Sequence, residues 1–191
     1  LRQKNIRVPE FRQIVGEIGA LLTYEATRDT ETSEHTIDTW AGQTTVAKMA
    51  QKDITVVPIL RAGLGMLDGV LKMLPGAGVS VVGFARNEET LKAEKYYAKL
   101  VDGIADKTVI VVDPMLATGG TLEATLELLK EAGCQNIKGI FLVAAPEGLS
   151  RIEERFPDVE IFVAAIDDHL NDQGYILPGL GDAGDKIFGT L

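Results

Sequence analysis

The chain has 191 residues, of which 46% are hydrophobic and 25% charged, a composition that excludes a disordered chain and a collagen-like scaffold. No apolar run reaches the roughly 18 residues that a membrane-spanning helix needs, so the sequence predicts no membrane partner. With 19 basic and 28 acidic side chains the net charge is −9, which argues against nucleic acid as the main partner but not against a small phosphorylated ligand.

Cysteine content and the start of the chain bear on location. Cys134 is the single cysteine and cannot form an internal disulfide or a zinc cluster, so we expect a reducing, cytoplasmic compartment. The sequence begins at Leu1 rather than Met and shows no secretory signal. We expect one domain over residues 1–191, with a short segment preceding it.

The first predicted elements are a helix and a hairpin. Apolar side chains recur every three or four positions over residues 9–26, with Pro9 near the start, which predicts an amphipathic helix. Residues 34–48 are polar and rich in threonine around a turn at 41–43, which predicts a β-hairpin.

From residue 54 onward short apolar runs alternate with helical stretches, the pattern of a mostly parallel sheet with helices on both faces. Strands are predicted at residues 54–60, 79–84, 108–112, 137–144 and 159–165, and helices at 63–74, 120–132 and 147–156. The sequence therefore predicts an α/β fold whose ligands bind beyond the carboxyl ends of the strands.

Two segments depart from this alternation. Residues 86–99 begin charged and then alternate from Tyr96 onward, which predicts a flexible arm over 87–95 that returns as a strand. Residues 174–190 are rich in glycine, lack periodicity and are predicted to form a loop. A glycine-rich segment that stays ordered usually wraps around something.

The strongest motif follows the strand at 108–112. Asp113 stands at the strand tip, where it can accept hydrogen bonds from sugar hydroxyls, and a loop of mostly small residues then leads into a helix. Such a turn points backbone N–H groups at a helix N-terminus and favours a phosphate, and it lacks the Walker pattern. The alternative is a helix cap with no ligand. The loop consists of Pro114, Met115, Leu116, Ala117, Thr118, Gly119, Gly120 and Thr121.

Two arginines follow predicted strands. Arg61 comes after the strand at 54–60, and Arg86 follows the strand at 79–84. A guanidinium at this edge can clamp a diphosphate through two parallel hydrogen bonds. The alternatives are a surface arginine for Arg61 and an ion pair with Glu88 or Glu89 for Arg86.

Three other patterns carry little weight. The glycine motif at 63–69 has the wrong spacing for a dinucleotide site, and the one at 179–184 is followed by no predicted helix. The acids at 167–172 are consecutive and lack a convincing set of metal ligands. His35 and His169 have no identifiable nucleophilic partner, so nothing indicates triad chemistry or a single acid or base.

Residues 175–185 can present backbone groups to a flat heterocycle such as uracil, and the alternative is a surface loop that docks the C-terminus. Taken together, the motifs resemble the uracil phosphoribosyltransferase family, in order and over almost the whole chain. The resemblance is carried by residues 58–64, 86–90, 112–121, 144–148 and 174–189. It implies a phosphoribosyltransferase-like sheet with a small hood from the N-terminal region and the C-terminal loop.

The resemblance also implies a reaction: uracil and 5-phosphoribosyl 1-diphosphate (PRPP) give UMP and diphosphate. Residues 113–121, with Asp182, would hold PRPP, Arg61 and Arg86 would grip its diphosphate, and Mg²⁺ would be held through PRPP and water without direct protein ligands. Arg61, Arg86 and Asp113 would act by positioning. Uracil would be bound by the tail residues Ile176, Gly181, Asp182 and Ala183.

Relatives in this family are dimers or larger, so we expect a homodimer or a higher homo-oligomer here. Some relatives are activated by GTP, which leaves a GTP effector open. Three rival functions remain at this stage. The first is an RNA-binding attenuation regulator on the same fold, against which the net charge of −9 argues. The second is a transferase for orotate or a purine, and the third is an inactive nucleotide-binding module.

Overall fold

The computed structural model describes residues 1–86 and 93–190, apart from the side chains of Lys52, Arg86 and Ala93. The helices are α1 (Val8–Ala26), α2 (Leu64–Met73), α3 (Gly120–Glu131), α4 (Pro146–Arg155) and α5 (Ala183–Phe188). The strands are β1 (Thr32–Thr39), β2 (Gly42–Met49), β3 (Ile54–Leu60), β4 (Gly78–Val79), β5 (Val81–Arg86), β6 (Ala93–Lys99), β7 (Thr108–Val112), β8 (Met115–Leu116), β9 (Ile137–Ala144), β10 (Glu160–Ile166), β11 (His169–Leu170) and β12 (Ile176–Leu177).

The central sheet has the order β10-β9-β7-β3-β5-β6, with β4 beside β3 and β8 beside β9. Its strands pair in parallel except for β6, which runs antiparallel to β5 at one edge. Strands β3, β7 and β9 are mostly apolar and buried along nearly their whole length because both of their faces are covered. The α/β fold with a mostly parallel sheet is thereby confirmed.

Helices cover both faces of the sheet, and β7 shows how the sequence assigns side chains to each face. Ile110 and Val112 belong to one hydrophobic cluster, with residues of α1, α2 and α5, whereas Val109 and Val111 belong to the other, with residues of α3 and α4. Successive side chains of a strand point to opposite faces, so a continuous apolar run supplies both clusters. No helix in the described ranges is long and apolar enough to cross a membrane.

The predicted hairpin is confirmed as β1 and β2, which pair antiparallel with each other. Every residue of β1 is exposed, and Trp40 at the turn is fully exposed. The hairpin thus extends into solvent, although a two-stranded hairpin is only marginally stable by itself in water.

Two predictions need correction. The strand predicted at 79–84 is two strands, β4 and β5, which are separated at Ser80. The Ser80 hydroxyl lies 3.1 Å from Thr55 Oγ1 and accepts the N–H of Val101 at 3.0 Å. The tail predicted as a loop contains β12 and the helix α5, so the expectation that no helix follows the glycines at 179–184 was wrong. The return strand after the charged arm is confirmed as β6, and residues 87–92 of that arm lie outside the described part.

The missed helix α5 has a clear physical origin. Asp182 caps it, because its Oδ1 accepts the N–H of Asp185 at 2.9 Å. Gly189 ends it in the left-handed conformation with φ of 70°. Both signals are present in the sequence but are masked by the high glycine content of the segment.

Candidate active site

The sheet places Arg61 and Asp113 at the same edge. Strands β3 and β7 are parallel neighbours, with Pro58 opposite Val112, so the residues that follow them emerge side by side. The chain leaves β3 for β5 on one side, and β7 lies on the other side. In open parallel sheets such a reversal opens a ligand crevice at the carboxyl ends of the strands. The Leu60–Arg61 peptide bond at this edge is cis.

The loop after Asp113 is anchored to the sheet before it reaches α3. The carbonyl of Pro114 accepts the N–H groups of Leu142 and Val143 at 3.1 and 3.0 Å, and β8 pairs with β9. Gly119 precedes α3 with φ of 79°, a conformation that favours glycine. The first amides of a helix have no intrahelical acceptor, so this loop presents N–H groups at a helix N-terminus.

A cavity of about 100 Å³ lies beside this loop. Its lining combines backbone and hydroxyl groups of the loop with apolar side chains of the sheet and of α3. These residues are Ile59, Asp113, Met115, Leu116, Ala117, Thr118, Gly119, Thr121, Leu122 and Phe141. The cavity is therefore built where the sequence predicted a phosphate.

Helix α4 supports the loop from behind. A Cβ added at Gly148 would lie 2.2 Å from the carbonyl oxygen of Ala117, so only glycine allows this approach. Arg151 donates to the carbonyl of Thr118 at 3.4 Å and, together with Arg155, pairs with the buried carboxylate of Glu123. Sequence reasoning missed this support, since nothing local in the sequence links α3 to α4.

Asp113 is half-buried, and its Oδ1 accepts the N–H of Met115 at 3.1 Å. Removal of the carboxyl from water raises the pKa of Asp113 to about 7, although the Met115 hydrogen bond opposes the rise. The carboxyl group is therefore poised to gain or lose a proton near neutral pH. The sequence predicted its place at the strand tip but not this ionisation.

The structure describes the side-chain contacts of Arg61 but not those of Arg86, the two arginines predicted to bind diphosphate. Arg61 is half-exposed; its NH2 group lies 3.2 Å from Oδ1 of Asp185, and its guanidinium stacks 5.6 Å from the centre of the Phe188 ring. Arg61 thus links the edge of the sheet to α5. Arg86 ends β5, next to β3 in the sheet, and its side chain lies outside the described part.

The tail approaches the loop from the other side. A Cβ added at Gly174 would lie 3.6 Å from Cγ2 of Thr118, and Oε1 of Glu147 accepts the N–H of Leu170 at 2.9 Å. That hydrogen bond is the main reason why the pKa of Glu147 is lowered. Gly174, at the start of the tail, therefore lies next to the phosphate loop.

The four tail residues predicted for the base are differently placed. Ile176 and Ala183 are 2% and 3% exposed and pack in the core, whereas Gly181 and Asp182 are exposed. Gly181 has φ of 70°, so glycine is favoured there. The side chain of Ile176 faces the hydrophobic core, which leaves its backbone as the part that can meet a ligand.

The N-terminal region packs on the tail, as the predicted hood requires. Arg12 Nε donates to the carbonyl of Ile187 at 2.5 Å, and Lys186 Nζ lies 5.7 Å from the centre of the Phe11 ring. Helix α1 therefore holds α5 in place from outside the crevice.

A larger cavity of about 600 Å³ lies at the opposite, amino ends of the strands. The acids Asp29, Glu31, Asp53 and Glu160 line it, against one lysine, Lys138. Lys138 is itself engaged, with Nζ 2.6 Å from Asp29 and 3.4 Å from Glu160. This acidic lining repels phosphate groups, so the smaller cavity at the phosphate loop is the candidate site.

No three His, Cys, Asp or Glu side chains converge as a set of metal ligands within the described ranges. In the acidic run at 167–172, Asp167 is paired with Arg2 at 2.6 Å instead.

Comparison with known proteins decides the family. The family model for uracil phosphoribosyltransferase matches residues 1–190. The chain belongs to the uracil phosphoribosyltransferase family. It is accordingly a pentosyltransferase, an enzyme of nucleobase salvage that transfers a phosphoribosyl group.

Solved structures share the fold of this chain. The AQ2163 protein from Aquifex aeolicus is 44% identical with a TM-score of 0.94, over 98% of this chain and 89% of that chain. A purine phosphoribosyltransferase from Pyrococcus horikoshii is 19% identical with a TM-score of 0.53, over 84% of this chain and 91% of that chain. A mutant hypoxanthine phosphoribosyltransferase from Trypanosoma cruzi, complexed with IMP, is 11% identical with a TM-score of 0.54, over 86% and 76%. The last two show the shared fold.

Proposed function

We propose that this enzyme joins uracil to the ribose of PRPP, giving UMP and diphosphate. One observation carries the proposal: the tail lies close to both the phosphate loop and Arg61. A Cβ added at Gly174 would lie 3.6 Å from Cγ2 of Thr118, and Asp185 pairs with Arg61 at 3.2 Å. A base held by the tail would therefore meet a phosphoribosyl group held by residues 113–121 and Arg61.

The loop at 114–121 would bind the 5′-phosphate of PRPP. Backbone N–H groups at the start of α3 and the hydroxyls of Thr118 and Thr121 are its donors, and the positive end of the helix favours a dianion. Asp113 would accept hydrogen bonds from the ribose hydroxyls. Asp182, exposed at the start of α5, would lie on the PRPP side of the base.

Arg61 and Arg86 would grip the diphosphate. The Arg61 guanidinium carries five N–H donors, so its contact with Asp185 leaves further donors for phosphate oxygens. As the family resemblance implies, Mg²⁺ would be held through diphosphate oxygens and water, without direct protein ligands. When bound, it would add to the neutralisation of charge on the leaving group.

Positioning and electrostatics would then drive the chemistry. The bond between ribose C1 and the diphosphate oxygen breaks with its electron pair going to diphosphate, and a new bond forms between C1 and the uracil nitrogen. The proton of that nitrogen leaves to water, and no side chain is assigned as a base. Arginine donors aimed at the departing oxygens stabilise the charge that develops in the transition state.

Uracil would be selected by the tail. The backbone at Ile176 and Gly181, with Asp182 and Ala183, would face the donor and acceptor edge of the ring. The arm predicted at 87–95 lies mostly outside the described residues.

The direct test mixes the protein with Mg²⁺, PRPP and labelled uracil and measures UMP, with adenine, hypoxanthine and orotate in parallel. We expect UMP from uracil and little product from the other bases. Preferred use of a purine or of orotate would contradict the assignment of uracil as the substrate, but not the assignment of phosphoribosyl transfer. A gel shift with a pyrimidine-operon leader RNA tests the regulator instead, and we expect no shift.

We also propose a homodimer or a higher homo-oligomer in the cytoplasm. Support for assembly comes from exposed apolar side chains, Leu21 and Tyr24 on α1 and Ile37 and Trp40 on the hairpin. Cys134 is free and buried, which suits a reducing compartment. A GTP effector rests on the family alone. Light scattering with and without GTP measures the assembly, and a monomer in both conditions would contradict it.

A further inference from the structure

A compact polar contact joins Arg2 to the tail. The NH1 and NH2 groups of Arg2 lie 2.7 and 2.6 Å from the two carboxylate oxygens of Asp167. NH1 also donates to the carbonyl of Gly179 at 3.0 Å, and the N–H of Gly179 donates to Oδ2 of Asp167 at 2.8 Å. Both polar backbone groups of Gly179 are therefore held by these two side chains.

The contact is buried on the side of the carboxylate. The side chain of Asp167 is 5% exposed and follows β10, whose end is tied to β9 because the N–H of Asp167 donates to the carbonyl of Ala144 at 2.9 Å. Its hydrogen bonds with Arg2 are the main reason why the pKa of Asp167 is lowered. A buried charged pair of this kind holds one geometry, because an unpaired partner would be costly.

Gly179 is the position where such a hold matters. It has φ of 58°, and a Cβ there would lie 2.0 Å from the carbonyl oxygen of Ile176. The turn follows the cis peptide bond between Leu177 and Pro178 and leads within two residues to Gly181. Whatever fixes the peptide groups of Gly179 therefore also fixes where the exposed backbone at Gly181 and Asp182 lies.

We propose that Arg2 and Asp167 are positioning residues for the base: they hold Gly179 and thereby set the segment 181–183 against the nucleobase. This inference rests on the proposed function. Neither side chain belongs to the phosphate loop, and Asp113 is held by Met115. Arg61 pairs with Asp185 of α5, and Asp182 is assigned to PRPP as well as to the base, so a displaced tail also reaches PRPP indirectly. The pair should therefore affect recognition of the base more than recognition of PRPP.

The test measures KM for uracil and for PRPP separately in the full-length protein. Asp167→Asn removes the negative charge that pairs with Arg2. Arg2→Met removes the guanidinium group and keeps an unbranched side chain. We expect both to raise KM for uracil on the order of tenfold, the scale of one lost charge-assisted hydrogen bond, with a clearly smaller rise in KM for PRPP. Arg2→Lys restores one donor and should recover part of the loss, which a merely structural role does not predict.

Arg7→Met is the matched control, because Arg7 lies in the same N-terminal region and forms an exposed ion pair with Glu10 at 3.4 Å. We expect it to leave both KM values unchanged. If Asp167→Asn fails to fold, Arg2→Met decides, since the Arg2 side chain is 42% exposed. Equal changes in both KM values, or none in an enzyme that makes UMP, overturn the inference alone. Wild-type protein that makes no UMP overturns the proposed function as well.

Discussion

The guanidinium of Arg61 lies 3.2 Å from Oδ1 of Asp185. A residue at the edge of the sheet is thus paired with helix α5, which begins within residues 181–183, the segment proposed to bind uracil. Asp185 also accepts the hydroxyl of Thr190 at 2.6 Å and donates its N–H to Asp182. The residues proposed for phosphate recognition and for base recognition are therefore in direct physical contact.

Arg61→Ala should lower kcat/KM by a factor on the order of 10², the effect of about 3 kcal/mol from one lost charge-assisted contact with the diphosphate. Steady-state kinetics with PRPP varied will measure this. Arg28→Ala is the control, because Arg28 forms an exposed ion pair of nearly the same length with Glu25, 3.1 Å, at the far end of α1. Equal kinetics in the two variants would remove Arg61 from the diphosphate site.

The raised pKa of Asp113 predicts a pH dependence of PRPP binding. With a pKa of about 7 the carboxyl group is mostly neutral at pH 6 and mostly charged at pH 8. Because the charged form accepts from ribose hydroxyls, PRPP affinity should fall about tenfold from pH 8 to pH 6. Binding by Asp113→Asn should follow only the protonation of PRPP itself, and titration calorimetry at both pH values compares the two proteins.

The same shift has a consequence for folding. The folded-state pKa lies above the unfolded value of 3.8, so the folded protein is progressively destabilised as the pH rises from about 4 to 7. Asp113→Asn should therefore raise the free energy of unfolding at pH 8 and have less effect at pH 4. Urea titrations at both pH values give the comparison, and equal differences at the two values would contradict it.

Gly148→Ala should displace the phosphate loop, because the added Cβ would lie 2.2 Å from a backbone oxygen of Ala117 that cannot move alone. We expect KM for PRPP to rise about tenfold, with the unfolding free energy lowered by about 1–3 kcal/mol. Gly16→Ala is the control, since its nearest neighbour is 4.0 Å away. A Gly148→Ala enzyme with unchanged KM for PRPP would show that α4 does not support the loop.

Glu123→Gln should destabilise the contact between α3 and α4. Its carboxylate is 9% exposed and pairs with Arg151 and Arg155, which are themselves half-exposed, so we expect a loss of about 1–2 kcal/mol. Glu127→Gln is a matched control on the same helix, because its 50% exposed carboxylate pairs with Arg155 at 2.9 Å. That change should cost less than about 0.5 kcal/mol in a denaturant titration.

The sequence predicted the sheet well because its central strands are buried on both faces. The predicted bounds of β3, β7 and β9 match the structure residue for residue, because a mostly apolar run between polar segments marks where a buried strand begins and ends. The places of Arg61 and Asp113 follow from the same pattern, because strand ends meet at one edge. That these residues bind PRPP remains a prediction.

Contacts between distant parts of the chain were beyond sequence reasoning. Arg2 and Asp167 are 165 residues apart, and no local period or spacing joins them. The sequence predicted no convincing metal site in the acidic run that contains Asp167. It gave no sign that Asp167 pairs with the guanidinium of Arg2. Likewise, the high glycine content of the tail led to the prediction of a loop instead of α5. Glycines with positive φ form the turns on either side of this helix.

The anchoring of Gly179 also bears on the redesign of base preference. The phosphate loop and the tail come from different stretches of the chain, so a tail from a transferase for another base could be grafted onto this sheet. Such a graft would need a glycine at 179 together with Arg2 and Asp167, because those side chains satisfy its peptide groups. A donor tail transferred without that pair would carry the right recognition residues and hold them in the wrong place.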